Sequence, residues 1–371
     1  MKKILLITRP ITPPWDEASK NFAFFLAKNI SNFTIGLLTK SHISELSDNV
    51  EQKPVYTSSN FSFLQKIRLL FGLKFLKSKF DILHFLFTPT RLNSFLIKKI
   101  LGCGNKKFRT IQTIATLRED LYSDEEIKKM IFGNLIITYS DYAKNKLASL
   151  GFKNIERIYP GIDLDLYRKK EKNPEHMKKY GLSDLDFIIN FTGEYSRLGA
   201  IDDVALSFIE ISKLIPNSKL SLAVRIKNCE DIEKKKWVIE IFKRNNLLDR
   251  VIFHDDGTYE MSDIYNLCDI SIFPVQDMKG KFDVPLAVIE AMACEKPVII
   301  SNIPILEEFA KEGNSVKIEK GNLSELKLKI LDLYDHREKC YQIGKNARQY
   351  VEENFDIKKI AQQYKNIYNK L

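Results

Sequence analysis

The chain has 371 residues, of which 44% are hydrophobic, and its formal net charge at pH 7 is +10. This length and apolar content exceed one ordinary hydrophobic core, so they predict two folded domains and exclude an intrinsically disordered protein. The positive charge favours anionic partners, such as phosphate-bearing ligands, nucleic acid or a membrane surface, without choosing among them. The five cysteines are scattered. This favours buried thiols over a disulfide framework or a zinc site.

Short apolar runs alternate along the chain with longer amphipathic segments, which is typical of parallel sheets covered by helices. Ser140 is placed to cap the helix that follows it, and Gly151 to end that helix. The first apolar run is too short for a signal peptide, and none approaches the ~20 residues of a membrane span, so we expect a cytoplasmic protein. In the first half, strands are predicted at 4–8, 34–38, 81–87, 109–116 and 134–140.

The alternation restarts after a polar stretch that follows the Pro-Gly turn at 160–161. The repeat predicts two doubly wound α/β domains, which bind ligands where the C-terminal ends of strands meet a switch in strand order. We place the domains at residues 1–165 and 166–350, with a terminal helix at 351–371. In the second half, strands are predicted at 186–193, 219–226, 250–256, 269–275 and 296–301.

Residues 282–299, FDVPLAVIEAMACEKPVI, place one carboxylate in an otherwise apolar helix. Pro285 suits the first helical turn, and the backbone N–H groups near Leu286 and Ala287 form a candidate anion site. Glu290 lies roughly 7–8 Å further along the helix axis. A nucleotide diphosphate at the helix start would bring its ribose beside Glu290, whose carboxylate accepts hydrogen bonds from two hydroxyls. The alternative is a partly exposed glutamate on a core helix.

This segment resembles the nucleotide-sugar site of retaining glycosyltransferases of family 4, which have the GT-B fold. The resemblance implies two Rossmann-like domains facing a cleft, an N-terminal acceptor domain, a C-terminal donor domain and a last helix that crosses back to the first domain. It also implies transfer of a hexose from a UDP- or GDP-sugar to a lipid-linked or saccharide acceptor, with retention of configuration and no metal or other cofactor. Similar motifs follow in the family's order at 80–85, 137–147, 158–163, 191–200 and 267–275.

Within this resemblance, the diphosphate loop contains Gly193 and Glu194, with Arg197 as its cation. Arginine suits phosphate because its planar fork donates two hydrogen bonds at once. Phe282 stands where the family has its first glutamate, so Asp283 is the candidate that orients the donor sugar. We therefore expect catalytic roles for Asp283, Glu290 and Arg197. The alternatives are a solvated loop charge at Arg197 and a helix cap at Asp283.

The acceptor side departs from the family. Ala115 stands where the family often has a histidine, and Trp15, Asp16 and Glu17 occupy a loop where it has a glycine pair. We expect this loop to face the acceptor, together with His84 at the end of a strand. The alternatives are a tryptophan that packs the loop, an aspartate that caps the next helix and a structural histidine.

Residues 61–80 interleave cations and phenylalanines and contain no acid. This pattern predicts an interfacial helix on the inner face of an anionic membrane, with Lys66, Arg68, Lys74 and Lys77 each contributing about 1 kcal/mol. The alternative is an ordinary helix with a solvated basic face.

Two functions compete with glycosyl transfer. A non-catalytic nucleotide-sugar-binding or scaffold protein on the same fold would explain the departures from the family's motifs. A nucleotide-sugar epimerase on a related fold would interconvert sugars without an acceptor. Nucleic-acid binding is disfavoured, because the basic charge is accompanied by no recognition motif.

Overall fold

The computed structural model describes residues 1–12, 18–102, 107–255 and 260–371. The chain divides into two compact units. Unit 1 comprises Met1–Asp163, Lys279–Val284 and Asn354–Leu371, and unit 2 comprises Leu164–Met278 and Pro285–Glu353. Two short pieces of the second half of the chain therefore belong to unit 1.

Unit 1 is built on one parallel sheet. Its strands are β1 (Lys3–Ile11), β2 (Thr34–Thr39), β3 (Val50–Pro54), β4 (Ile82–Leu86), β5 (Arg109–Ile114), β6 (Leu135–Thr138) and β7 (Ile155–Arg157). Among the described residues they run in the order β3-β2-β1-β4-β5-β6-β7, and neighbouring strands pair in parallel. The helices of this unit are α1 (Ala18–Asn29), α2 (Phe63–Leu76), α3 (Arg91–Leu101), α4 (Asp124–Met130) and α5 (Asp141–Ser149).

The core of unit 1 lies on both faces of its central strands. Ile4, Leu5, Leu6 and Ile7 of β1 are all fully buried, as expected for a parallel strand covered by helices on each side. The predicted cap is confirmed, because the Ser140 hydroxyl accepts a hydrogen bond from the Ala143 N–H at the start of α5.

Unit 2 is a second parallel sheet. Its strands are β8 (Phe187–Glu194), β9 (Ser218–Arg225), β10 (Val251–Phe253), β11 (Ile270–Phe273), β12 (Val298–Ser301) and β13 (Val316–Ile318). Among the described residues their order is β10-β9-β8-β11-β12-β13. The helices are α6 (Pro174–Lys179), α7 (Ala200–Leu214), α8 (Cys229–Arg244), α9 (Met261–Leu267), α10 (Leu286–Ala293), α11 (Pro304–Glu307), α12 (Leu323–Asp335) and α13 (Arg337–Asn354). The chain ends with α14 (Ile357–Lys370), which lies in unit 1.

The predicted fold class is confirmed, because each unit is a doubly wound parallel sheet of the Rossmann type. Three strands, β3, β7 and β13, have no counterpart in the sequence prediction. All three lie at a sheet edge, where a strand is short and needs fewer apolar residues. Within the described ranges, no helix combines the length and apolar character needed to cross a membrane.

Candidate functional site

The strand order of unit 2 reverses at β8, which has β9 on one side and β11 on the other. The segments that follow β8 and β11 lead to α7 and α10, and they diverge at the C-terminal edge of the sheet. Such a switch point leaves a crevice that commonly binds ligands in open α/β sheets. The predicted donor residues of unit 2 lie in these two segments and in α10.

Glu290 lies on α10 and is half-buried. The hydroxyl of buried Tyr265 donates a hydrogen bond to its Oε2 atom at 3.0 Å, and the side chain of Tyr167 donates a second hydrogen bond to the carboxylate. Two tyrosines from separate segments therefore fix the orientation of this carboxylate. A carboxylate has about four lone-pair sites, so two donors leave it able to accept further hydroxyls.

Burial raises the pKa of Glu290 from 4.5 to about 7, although the hydrogen bonds from Tyr265 and Tyr167 act in the opposite direction. Desolvation disfavours the charged form of a carboxyl group, and this effect outweighs the two donors here. Glu290 therefore changes its charge near neutral pH. A raised pKa in a carboxylate at a switch point is the kind of perturbation that marks functional sites.

The start of α10 differs in one detail from the sequence prediction. Pro285 immediately precedes the helix, which begins at Leu286, so the proline lies just outside the first turn. Leu286 and Ala287 are both half-buried. The first backbone N–H groups of a helix lack partners within the helix, and they carry the positive end of its dipole.

The loop between β8 and α7 has a constrained backbone. Leu198 and Gly199 have φ values of 71° and 65°, in the left-handed region. A Cβ atom at Gly199 would lie 2.8 Å from the Cγ atom of Gln276, and the Gln276 N–H donates to the Leu198 carbonyl oxygen at 2.9 Å. A Cβ atom at Gly193 would lie 2.7 Å from the ring of Phe191. Close packing thus fixes the loop that carries Arg197.

Glu194 and Arg197 form an ion pair in this loop, with 3.8 Å between Oε2 and Nη1. Glu194 is buried at the end of β8, whereas Arg197 is 40% exposed. The buried carboxylate therefore faces a cation of its own chain. Because a carboxylate repels phosphate, this geometry favours Arg197 over Glu194 as the group that meets an anionic ligand.

Asp283 lies in unit 1, away from the role that the sequence suggested. The N-cap position of α10 is occupied by Pro285. Its N–H donates to the Ala115 carbonyl oxygen at 2.9 Å, and its Oδ2 atom accepts from the Ser140 hydroxyl at 2.5 Å. The neighbouring Phe282 ring packs on Tyr139, with 5.6 Å between ring centroids. Asp283 is 3% exposed, so this geometry explains it as an anchor of the segment Lys279–Val284 within unit 1.

His84 corrects the sequence expectation. It lies in the middle of β4 and is fully buried, not at a strand end. Its Nδ1 atom is 2.7 Å from the Tyr368 hydroxyl and its Nε2 atom 2.7 Å from the Thr113 hydroxyl. Burial lowers the pKa of His84 from 6.5 to about 3, so the imidazole is neutral. One ring nitrogen contacts α14 and the other contacts β5, so both are used within unit 1. Trp15, Asp16 and Glu17, the other acceptor residues, lie outside the described residues.

Sequence reasoning missed Tyr167 and Tyr265, which hold Glu290. Tyr265 belongs to α9 and Tyr167 to a stretch without regular structure, so no local spacing connects either one to Glu290. It also did not single out Arg225, the last residue of β9, or Lys227, although two cations at the end of a buried strand were a usable signal. Within the part of the chain that the structure describes, no three His, Cys, Asp or Glu side chains are grouped as metal ligands.

Comparison with known families finds a match in the second half of the chain. Residues 172–350 match the family model described as Glycosyl transferases group 1. Apart from Lys279–Val284, the match falls on unit 2, and it includes both segments of the switch point. This part of the chain is therefore similar to that family.

Similar proteins extend the comparison to the rest of the chain. It is 23% identical to the N-acetyl-alpha-D-glucosaminyl L-malate synthase of Bacillus anthracis over 302 residues, which cover 79% of this chain and 75% of that one. HepE of Anabaena, solved in complex with UDP and glucose, superposes with a TM-score of 0.78 at 17% identity, covering 100% of both chains. Sucrose-phosphate synthase of Thermosynechococcus elongatus gives a TM-score of 0.80 at 17% identity, covering 100% of this chain and 99% of that one. These similarities support the GT-B fold for the whole chain.

Proposed function

We propose that this protein is a glycosyltransferase that moves a hexose from a nucleotide diphosphate sugar to a saccharide or lipid-linked acceptor. The observation that carries the proposal is Glu290, a carboxylate oriented by two tyrosines at a switch point, in the part of the chain that matches the group 1 glycosyltransferase model. The HepE structure, solved with UDP and glucose, supports UDP as the first donor nucleotide to test, with GDP as the alternative.

In this proposal Glu290 accepts hydrogen bonds from the ribose hydroxyls. The backbone N–H groups of Leu286 and Ala287, with the guanidinium of Arg197, stabilise the negative charge that develops on the departing diphosphate. Protein groups supply this neutralisation, so we propose that the reaction requires no divalent metal. We further propose that the sugar retains its anomeric configuration, as the family resemblance implies. The proposal assigns no sugar contact to Asp283, whose carboxylate oxygen Oδ2 is held by Ser140.

The first test measures nucleotide binding by titration calorimetry with UDP and GDP in the presence of EDTA. The wild type should bind one of them, and Glu290→Ala should lose at least about tenfold in affinity, because hydrogen bonds to a charged group contribute about 1.5–3 kcal/mol. Glu312→Gln, an exposed carboxylate of the same unit, is the matched control and should bind as the wild type does. If Glu290→Ala binds UDP and GDP as tightly as the wild type does, the ribose assignment is wrong.

The second test measures turnover on UDP- and GDP-sugars with a panel of saccharide and lipid-linked acceptors. Product formation that persists in EDTA, with the anomeric configuration read by NMR, is the expected result. Nucleotide-sugar binding without turnover on any acceptor would instead favour the non-catalytic binding protein. Conversion of the sugar without an acceptor would identify an epimerase.

We also propose that unit 1 binds an anionic membrane surface through α2 and α3, which pack against each other. The observation that favours this is a set of apolar side chains on these helices that are 57 to 71% exposed. Isolated exposed apolar residues are ordinary, but a cluster of large ones next to cations marks an interaction site. The set consists of Phe63, Leu64, Phe71, Phe75, Leu92 and Phe95.

The cations contribute differently from the sequence expectation. Lys66 lies over the Phe61 ring at 5.8 Å, the Arg68 Nε atom donates to the Val55 carbonyl oxygen at 2.9 Å, and Lys77 donates to the Ile100 carbonyl oxygen. These three side chains are therefore partly used within unit 1. Lys74 is exposed beside Phe71 and Phe75. The aromatic side chains thus supply the larger part of the proposed contact.

Sedimentation with vesicles of phosphatidylcholine containing phosphatidylglycerol tests the membrane proposal. Replacing Phe71 and Phe75 together by serine should weaken vesicle binding by about tenfold or more, since burying each ring contributes about 1.5–3 kcal/mol when complete. The control, Trp237→Ser, removes an exposed aromatic residue of unit 2 and should bind normally. Equal sedimentation of the double variant and the wild type would overturn the proposal.

A further inference from the structure

We propose that three cations at the ends of two adjacent strands of unit 2, namely Arg197, Arg225 and Lys227, form the diphosphate site, with Glu194 as their internal counter-ion. This inference rests on the proposed function and names the residues that bind its donor. The sequence assigned the diphosphate to Arg197, in a loop that also contains Glu194. The structure adds two cations and points to a different role for the glutamate.

The cluster is built at the C-terminal edge of the sheet. β8 and β9 pair in parallel with Glu194 opposite Arg225, so both side chains leave the sheet at its C-terminal edge. The Nη2 atom of Arg225 lies 3.7 Å from Oε1 of Glu194, and the Nζ atom of Lys227 forms a short ion pair with the same oxygen. Arg197 pairs with the other oxygen, Oε2, so one carboxylate forms ion pairs with three cations.

The carboxylate and the cations of this cluster differ in their exposure to solvent. Glu194 is 4% exposed, whereas the side chains of Arg197, Arg225 and Lys227 are 38 to 40% exposed. The negative group is therefore covered and the positive groups face outward. The three cations are therefore more accessible to a ligand than the carboxylate that they share.

A second carboxylate holds the two loops together. Asp231, on α8 and 2% exposed, accepts from the N–H and hydroxyl of Ser196 at 3.1 and 2.6 Å, and from the N–H of Lys227 at 2.9 Å. Ser196 directly precedes Arg197, so one side chain fixes the backbone beside two of the cations. Burial alone would raise the pKa of Asp231, but these hydrogen bonds outweigh it and lower the pKa. Asp231 is therefore a positioning residue.

A diphosphate that joins a nucleoside to a sugar suits this cluster chemically. It carries one negative charge on each phosphorus and several acceptor oxygens, and guanidinium groups bind phosphate oxygens in pairs. The cluster lies directly after β8, where the crevice of the switch point begins. Arg225 and Lys227 thus compensate for Glu194 at the position where the resembled family has a phosphate-binding arginine.

The counter-ion role predicts that removing the charge of Glu194 weakens the fold but strengthens nucleotide binding. Glu194 stabilises the folded cluster, but it also competes with phosphate for the same cations. Glu194→Gln keeps the size and polarity of the side chain and removes its charge. We expect this variant to unfold at a lower temperature and to bind UDP several-fold more tightly at low salt. A direct ligand of the donor would give the opposite change in affinity.

The test is titration calorimetry with UDP and with inorganic pyrophosphate, and ligand-observed NMR with uridine, on wild type, Arg225→Gln and Lys227→Gln. Each substitution should weaken UDP and pyrophosphate binding about tenfold, because it removes a charge-assisted hydrogen bond. Uridine binding should not change. Lys234→Gln is the control, because Lys234 lies on α8 of the same unit and pairs with Asp202 outside the cluster.

The outcomes separate this inference from the proposed function. If UDP binds the wild type, is lost in Glu290→Ala and is unchanged in Arg225→Gln and Lys227→Gln, the cation cluster is wrong and the donor site stands. Weaker UDP binding in Glu194→Gln would overturn the counter-ion role. A wild type that binds neither UDP nor GDP would overturn both proposals.

Discussion

Replacing Glu290 by glutamine should separate stability from nucleotide binding. Burial raises the pKa of Glu290 from 4.5 to about 7, so the folded protein holds a proton that the unfolded chain releases between these two values. Stability is then highest at low pH and falls as the pH rises toward 7. Between pH 5 and pH 8 this group alone lowers the free energy of unfolding by about 2 to 3 kcal/mol. Glutamine has nearly the same shape and no charge to desolvate.

The assay compares urea unfolding of the wild type and Glu290→Gln at pH 5 and pH 8. Both proteins carry Trp15→Phe, so that Trp237 in unit 2 is the sole tryptophan and its fluorescence reports this unit. The difference between the two proteins isolates Glu290, because all other titrating groups are common to both. We expect glutamine to gain about 2 to 3 kcal/mol relative to the wild type on going from pH 5 to pH 8.

The same variant should bind UDP or GDP less well, although it is more stable at pH 8. Wild-type affinity should rise as the pH passes through about 7, since the ionised carboxylate accepts the ribose hydroxyls better. The affinity of the variant should be flat over this range. A stability difference that does not change with pH would refute the account of a desolvated carboxylate.

Three further predictions concern packing. His84→Gln should make the free energy of unfolding, measured by circular dichroism, depend less on pH in the acid range. Burial lowers the pKa of His84 to about 3, so the unfolded wild type takes up a proton between pH 8 and pH 4 and the free energy of unfolding falls by about 3 kcal/mol. The same pH dependence in the variant and the wild type would count against this. Gly199→Ala should destabilise unit 2 by more than Gly181→Ala. Both glycines have a positive φ, but a Cβ atom at Gly199 would meet Gln276, whereas one at Gly181 would have no described atom within 4 Å. Equal urea midpoints for the two variants would contradict this. Ser140→Ala should lower the free energy of unfolding by about 2 kcal/mol and Thr90→Ala by about 1 kcal/mol. Both residues cap helices, but Ser140 also donates a hydrogen bond to buried Asp283. Equal losses in urea unfolding would show that the hydrogen bond to Asp283 contributes nothing.

The central strands could be predicted from the sequence because burial on both faces requires continuous apolar runs, such as ILLIT in β1. The edge strands β3, β7 and β13 could not be predicted, since VEQKP, IER and VKI form backbone hydrogen bonds in a sheet without an apolar run. Their existence depends on a neighbouring strand that is far away in the sequence. Local pattern therefore indicates the middle of each sheet better than its margins.

The candidate site divides in the same way. Glu290 stands out in the sequence because a carboxylate in an apolar helix is unusual, but the partners that orient it come from remote segments. The partners of His84 and Asp283 are also remote in the sequence. Tyr368 lies 284 residues from His84, and Ser140 lies 143 residues from Asp283. No periodicity connects residues at such separations, so the sequence left both side chains available for chemistry, whereas packing uses them.

A double-mutant cycle between Glu290 and the ribose hydroxyls tests the ribose contact most directly. The affinity for UDP or GDP, whichever binds, is compared with the affinity for its 2′,3′-dideoxy analogue, in the wild type and in Glu290→Ala. If Glu290 binds the ribose hydroxyls, removing them should weaken binding to the wild type by about tenfold or more and to the variant hardly at all. An equal loss in both proteins would contradict the account, because the hydroxyls would then bind elsewhere.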